Sequence, residues 1–180
     1  MRMLKKQKGV SLLEAISFLG IAAIVIAGSV SLYRGARGSA EMSSLSQQLS
    51  ALQSNIKMAT AGQSYYGTSV WSNGVATQNL NASMINAEAI PDGLRVSGSN
   101  LFNSFGGLVR LDGDATSFWI RYENVPQDVC VKLAPQTGTG WMGLSINGNW
   151  SAITTAPIAV STAVSQCSSA TSNYLIWRSQ

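Results

Sequence analysis

Glu14 is the residue whose position asks for a chemical explanation. It is the only charge between Lys8 and Arg34, and it heads an apolar run in which Ala15 to Tyr33 carry none. A carboxylate at membrane depth costs about 2.5–3.5 kcal/mol on insertion scales, so it calls for a cation within reach. Other chemistry is sparse. Histidine is absent, which removes the commonest general base and the commonest metal ligand together; a nucleophile would need a Ser–Lys combination to activate it. Cys130 and Cys167 fit neither a CxxC nor a zinc-ligand spacing. In an exported chain they most simply pair, closing a loop worth ~4 kcal/mol; the alternative is two buried thiols.

Two further patterns are weaker. Asp112 and Asp114 offer a calcium ion two carboxylates where six or more oxygens are wanted, and read better as a hairpin turn. Gly138, Gly140 and Gly143 satisfy GxGxxG, but the dinucleotide fingerprint needs a strand before and a helix after, and strand-like residues follow at once. Five tryptophans and five tyrosines lie among Ser and Asn; they suit core and subunit contacts, or a carbohydrate-binding face. The expectation is a protein that is not an enzyme, with no metal and no cofactor.

The basic residues are unevenly distributed along the chain. The formal net charge is +4, but Arg2, Lys5, Lys6 and Lys8 supply four of the twelve basic residues, leaving eight against eight acids. No basic footprint for nucleic acid remains. The basic cluster instead flanks the apolar run as a cytoplasmic end does under the positive-inside rule. Nineteen uncharged residues from Ala15 to Tyr33 suffice to cross ~30 Å of hydrocarbon as a helix. A cleaved secretory signal fits the spacing, with Val25 and Ala27 before its cut, and a plain signal anchor fits the charge asymmetry. Neither accounts for Glu14.

The stretch KGVSLLEA resembles the class III leader of type IV prepilins: a basic leader ending in Gly, a cleavage point, and Glu as the fifth mature residue before an apolar helix. The resemblance implies that a prepilin peptidase cuts between Gly9 and Val10, that Val10 becomes the N-methylated first residue, and that Glu14 acts in assembly. Residues four apart share a helix face at ~5–6 Å, so Glu14 can neutralise the new amine of its own chain or of a neighbour. It further implies a precursor in the bacterial inner membrane with a cytoplasmic N-terminus, the inner-membrane pilus assembly machinery as partner, and a homo-oligomeric extracellular filament serving adhesion, aggregation, conjugation or related roles. Val10 stands where the family often has Phe, and no proline precedes Pro91. A varied first residue belongs to the type IVb branch, for which a nine-residue leader is short. Gly20, Gly28, Gly35 and Gly38 supply flexible points at ~1 kcal/mol each against Ala, so local melting near Gly20 or Gly28 is expected on assembly.

Beyond the apolar run, Met42, Leu45, Leu49, Leu52, Ile56 and Ala59 recur at helical spacing, and Gly62 stops the pattern. The expected organisation is a cleaved leader over 1–9, a hydrophobic polymerisation helix over 10–33, its amphipathic continuation over 34–62 and a head over 63–180. In the head, a short helix follows Asn81 and closes at Pro91–Asp92–Gly93. LVRL and SFWIRY form a hairpin around DGDAT. Pro126 opens a helix through Lys132, WMGLSI and NWSAI flank an Asn147–Gly148 type I′ turn, residues 157–167 form a helix, and NYLIWR is a final strand. Segregated helices and antiparallel strands argue α+β, with the sheet laid on a long N-terminal α-helix; this is the pilin fold that the resemblance implies. NSFGG at Asn103–Gly107 resembles the NPFGG of type IVb pilins, and the family's carboxy-terminal cysteine pair bounds an exposed region, here 130–167. The expected function is that of a type IV pilus subunit, the major pilin; the alternatives are a minor pilin or type II secretion pseudopilin, and a membrane-anchored or secreted carbohydrate-binding module.

Overall fold

The computed structural model describes residues 12–63, 66–67, 79–138, 140–148 and 153–180, with the side chains of 30–41 outside the description. Helix α1 runs Leu12–Ala59. The chain forms two compact units, Met1–Glu41 and Met42–Gln180.

In the first unit, the window Leu12–Ser29 has a mean hydropathy of 2.1 with none of it buried, and is long and apolar enough to cross a membrane. Leu12, Ile16, Phe18, Leu19, Ile24 and Ile26 are all more than half exposed, so the helix is greasy on every side. Such a surface is covered by lipid or by other helices. Its serines are already turned inward: Ser17 and Ser29 donate to the carbonyls of Leu13 and Val25, which hides their hydroxyls from hydrocarbon.

In the second unit, the rest of α1 carries the expected stripe. Met42, Leu45, Leu49, Leu52 and Ile56 are each at most 7% exposed. Ala59 is exposed, so the stripe stops one turn early, at the helix end where the Thr60 hydroxyl folds back onto the carbonyl of Ile56. After α1 come α2 (Asn81–Asn86), β1 (Arg95–Ser97), β2 (Asn100–Phe102), β3 (Leu108–Gly113) and β4 (Phe118–Val125). Then follow α3 (Gln127–Gln136), β5 (Gly143–Ile146), β6 (Thr154–Thr155), α4 (Val160–Gln166) and β7 (Asn173–Ser179). The strands make one seven-stranded sheet in the order β1-β2-β3-β4-β7-β5-β6, antiparallel at each pairing. This is α+β, an N-terminal apolar helix with an antiparallel sheet.

One face of the sheet makes the core with the α1 stripe. Leu111, Ile120 and Trp177 lie in register across β3, β4 and β7, as do Val109, Tyr122 and Leu175 one pleat along, and all are fully buried. Strand alternation puts Arg110, Asp112, Trp119, Arg121, Ile176 and Arg178 on the opposite face.

Three local expectations need correction, and one element was not expected. The helix after Pro126 continues to Gln136 because Leu133 and Ala134 are buried on its inner side. The 157–167 helix starts only at Val160. Asn147 and Gly148 do not form a two-residue hairpin: Leu144 pairs with Thr154 and Gly143 with Thr155, so the connection spans several residues, of which 149–152 lie outside the described residues. The β1–β2 hairpin was not expected, since three-residue strands, one of them wholly exposed, leave no alternation to read.

Candidate functional site

Glu14 lies in the first turn of α1 as described, where the helix dipole favours a negative side chain. It is exposed, like the apolar residues around it. Gly9 and Val10, and the basic residues before them, lie outside the described residues.

In the head, the two cysteines meet. Cys130 on α3 and Cys167 at the end of α4 form a disulfide with a Cα–Cα distance of 5.9 Å across 37 residues, and both are fully buried. The loop it closes is also pinned by side-chain amides. Gln127 Nε2 donates to the carbonyl of Cys167 at 2.8 Å. Asn147 Nδ2 donates to the carbonyl of Gln166 and to Asn173 Oδ1, each at 2.8 Å, while its Oδ1 accepts from Tyr174 N–H. Asn173, fully buried, donates onward to the carbonyls of Val125 and Ser169. Asn147 has φ 51°, a left-handed conformation that Asn tolerates, and here it serves this bracket at the end of β5.

NSFGG is a structural clamp. Asn103 Oδ1 accepts from the N–H groups of Phe105 and Gly107 at 3.0 and 2.9 Å, and its Nδ2 donates to the Glu123 carbonyl at 2.8 Å. A Cβ on Gly107 would lie 1.8 Å from that same carbonyl oxygen, so only glycine lets the loop lie against β4. Asn81 does comparable work along the part of β3 beyond its pairing with β2, donating to the Val109 carbonyl and accepting from Leu111 N–H. Nothing in the sequence marked Asn81, Asn147 or Asn173 for these roles, because all their partners but Ser169 lie far away along the chain.

The weaker patterns resolve structurally. Asp114 caps its hairpin, with Oδ1 accepting from the N–H groups of Thr116 and Ser117. Asp112 is fully buried on the other face of the strand, beside Arg110 Nη2 at 3.5 Å. The two therefore do not converge on one cation. Gly138 and Gly140 follow α3 and Gly143 opens β5, the reverse of the dinucleotide arrangement; Gln53 Nε2 reaches across to the Gly140 carbonyl at 2.7 Å and to Ser179 Oγ at 2.8 Å. Trp119, Trp141 and Trp177 are at most 9% exposed, so these three pack in the head and present no sugar-stacking surface. Trp71 and Trp150 lie outside the described residues.

Comparison with known proteins gives two findings. A family model described as PilS N terminal matches residues 39–180. Among solved structures, the chain is similar to a type IV b pilin from Salmonella typhi, with a TM-score of 0.51 and 25% identity over 73% of this chain and 97% of that one. It is also similar to TcpA, a type IV pilin from Vibrio cholerae El Tor biotype, with a TM-score of 0.50 and 15% identity over 78% of this chain and 99% of that one, a likeness of fold alone. No curated protein matches the chain.

Proposed function

The chain belongs to the PilS family and is a type IVb-like pilin, a structural subunit of a pilus; on that premise we propose that it is the major subunit, matured by cleavage between Gly9 and Val10 and registered in the filament by Glu14. One observation carries the reading: an all-round apolar helix, exposed from Leu12 to Ser29, whose only charge is Glu14. Cleavage by a prepilin peptidase at the cytoplasmic face of the inner membrane creates a cationic amine at Val10, which is then N-methylated. In a bundle of such helices an unpaired carboxylate is costly. A Val10 amine on the adjacent subunit offsets that cost at one axial register only, so the charge pair sets how far each new subunit rises.

The proposed organisation follows. Residues 1–9 are the leader, 10–33 span the membrane before assembly and line the filament core afterwards, 34–62 continue the helix, and 63–180 form the outer head with its disulfide-bounded region 130–167. The inner-membrane assembly machinery extracts the processed subunit. The pilin fold and family are structural, with no enzymatic role, and pilins assemble into filaments.

The experiment is mass spectrometry of the mature protein together with a Glu14→Ala variant. The expected mature chain begins at N-methylated Val10, and Glu14→Ala is cleaved normally while fibres are lost or strongly reduced. Normal fibres from that variant would overturn the registration argument. An intact leader would overturn the processing site. A chain that is scarce in sheared filaments would make it a minor pilin or pseudopilin.

A further inference from the structure

The sequence holds two Asn–Gly steps: Asn73–Gly74, which lies outside the described residues, and Asn147–Gly148. Such a step is prone to spontaneous deamidation, because glycine has no Cβ to shield the nitrogen that attacks. The backbone nitrogen of Gly148 adds to Cγ of Asn147 and gives up its proton to Nδ2, which leaves as ammonia. Water then opens the five-membered imide at either carbonyl, leaving an aspartate or its β-linked isomer. Water is the one co-reactant.

That attack requires a carboxamide free to turn Cγ onto the Gly148 nitrogen along a reactive trajectory. In the folded head it is not free. Nδ2 of Asn147 donates to the Gln166 carbonyl and to Asn173 Oδ1, each at 2.8 Å, and Oδ1 accepts from Tyr174 N–H at 2.9 Å. The Asn147 N–H donates to the Tyr174 carbonyl, also at 2.9 Å. Backbone and side chain are thus both tied to β7, and cyclisation has to break all three side-chain bonds in a half-buried bracket, where unpaired polar groups are costly.

The bracket also rejects what the reaction makes. A carboxylate only accepts hydrogen bonds. In place of Nδ2 it faces two further acceptors, the Gln166 carbonyl and Asn173 Oδ1, with no proton between them. Asn173 cannot turn its amide over to supply one, since it is fully buried and its Nδ2 already donates to the Val125 and Ser169 carbonyls at 3.1 and 2.6 Å, while Oδ1 accepts from Ser169 N–H at 3.0 Å. The β-linked isomer adds a methylene to the main chain directly after β5, which ends at Ile146. We propose that Asn147 is a latent modification site: the closed head holds it inert, an opened head lets it deamidate, and the product weakens every later closure. The bracket thereby records a prolonged opening as a permanent loss of stability.

Site-resolved mass spectrometry of the full chain in detergent micelles tests this. At mildly alkaline pH, Asn147 is expected to convert at least about tenfold more slowly in the folded chain than in denaturant, as a reaction gated by local opening does. Chains aged in denaturant until Asn147 is converted, then refolded, are expected to melt ~5–10 °C below the parent. Asn147→Asp, made directly, should show the same fall, which separates the effect from conversion at Asn73. Equal rates in folded and denatured chains, or converted chains that refold with the parent's midpoint, would each overturn the proposal, and neither result depends on whether the Asp variant folds.

Discussion

Replacing both cysteines by serine tests the mechanics of the head most directly. The bridge closes a loop of sequence separation 37, and the chain-entropy relation gives ~4 kcal/mol for a loop of that length. For a unit running Met42–Gln180, each kcal/mol moves the midpoint by ~3–5 °C, so the Cys130→Ser, Cys167→Ser double variant should melt ~12–20 °C below the parent. Reduction of the parent should give the same shift. The native contacts should be retained when the bridge is removed, because the Gln127 bond to the Cys167 carbonyl and the Asn147 bond to that of Gln166 do not depend on the sulfurs. Far-ultraviolet circular dichroism at low temperature should therefore be unchanged, with the loss confined to the transition. The assay is thermal unfolding of the full chain in detergent with and without reductant, with intact mass confirming thiol state. A shift under about 5 °C with the thiols shown to be free would refute the reasoning, since it would mean that the unfolded ensemble gains little freedom when the bridge opens.

Two further outcomes follow from geometry elsewhere. Gly107→Ala places a methyl against the Glu123 carbonyl and should destabilise the head by about 2–3 kcal/mol, read as a lowered unfolding midpoint. Gly20 and Gly28 have open space around them, so changing both to Ala meets no clash and stiffens the helix by ~1 kcal/mol per site; if melting there is needed for assembly, fibre yield in a reconstituted assay should fall while cleavage does not, and unaltered yield would remove the melting step.

The parts of this fold written in short-range periodicity were legible. The α1 stripe from Met42 to Ile56 follows helical spacing and is buried as read, and DGDAT between two alternating runs gave the β3–β4 hairpin, whose register runs from Val109–Tyr122 to Gly113–Phe118. The Asn147–Gly148 signal misled because a left-handed Asn is demanded equally by a tight turn and by a strand end that brackets Gln166 and Tyr174; local chemistry cannot separate the two. NSFGG was legible as a motif but not as a clamp, since the carbonyl that excludes a Cβ from Gly107 belongs to Glu123, sixteen positions along. Asp112 read as a turn residue, yet it is the penultimate residue of β3, buried on the sheet face opposite the α1 core. For the candidate assembly site, Glu14 was conspicuous because a lone charge in an apolar run has few structural excuses.

The pins that hold the head together have a consequence for life outside the cell. Asn81, Asn103, Asn147 and Asn173 fasten its loops through uncharged carboxamides, and only two ion pairs occur among the described residues. Amide fastenings neither titrate nor screen. A surface built on them keeps its shape in brine as in fresh water, which is the condition a secreted fibre meets when its surroundings change and nothing can repair it.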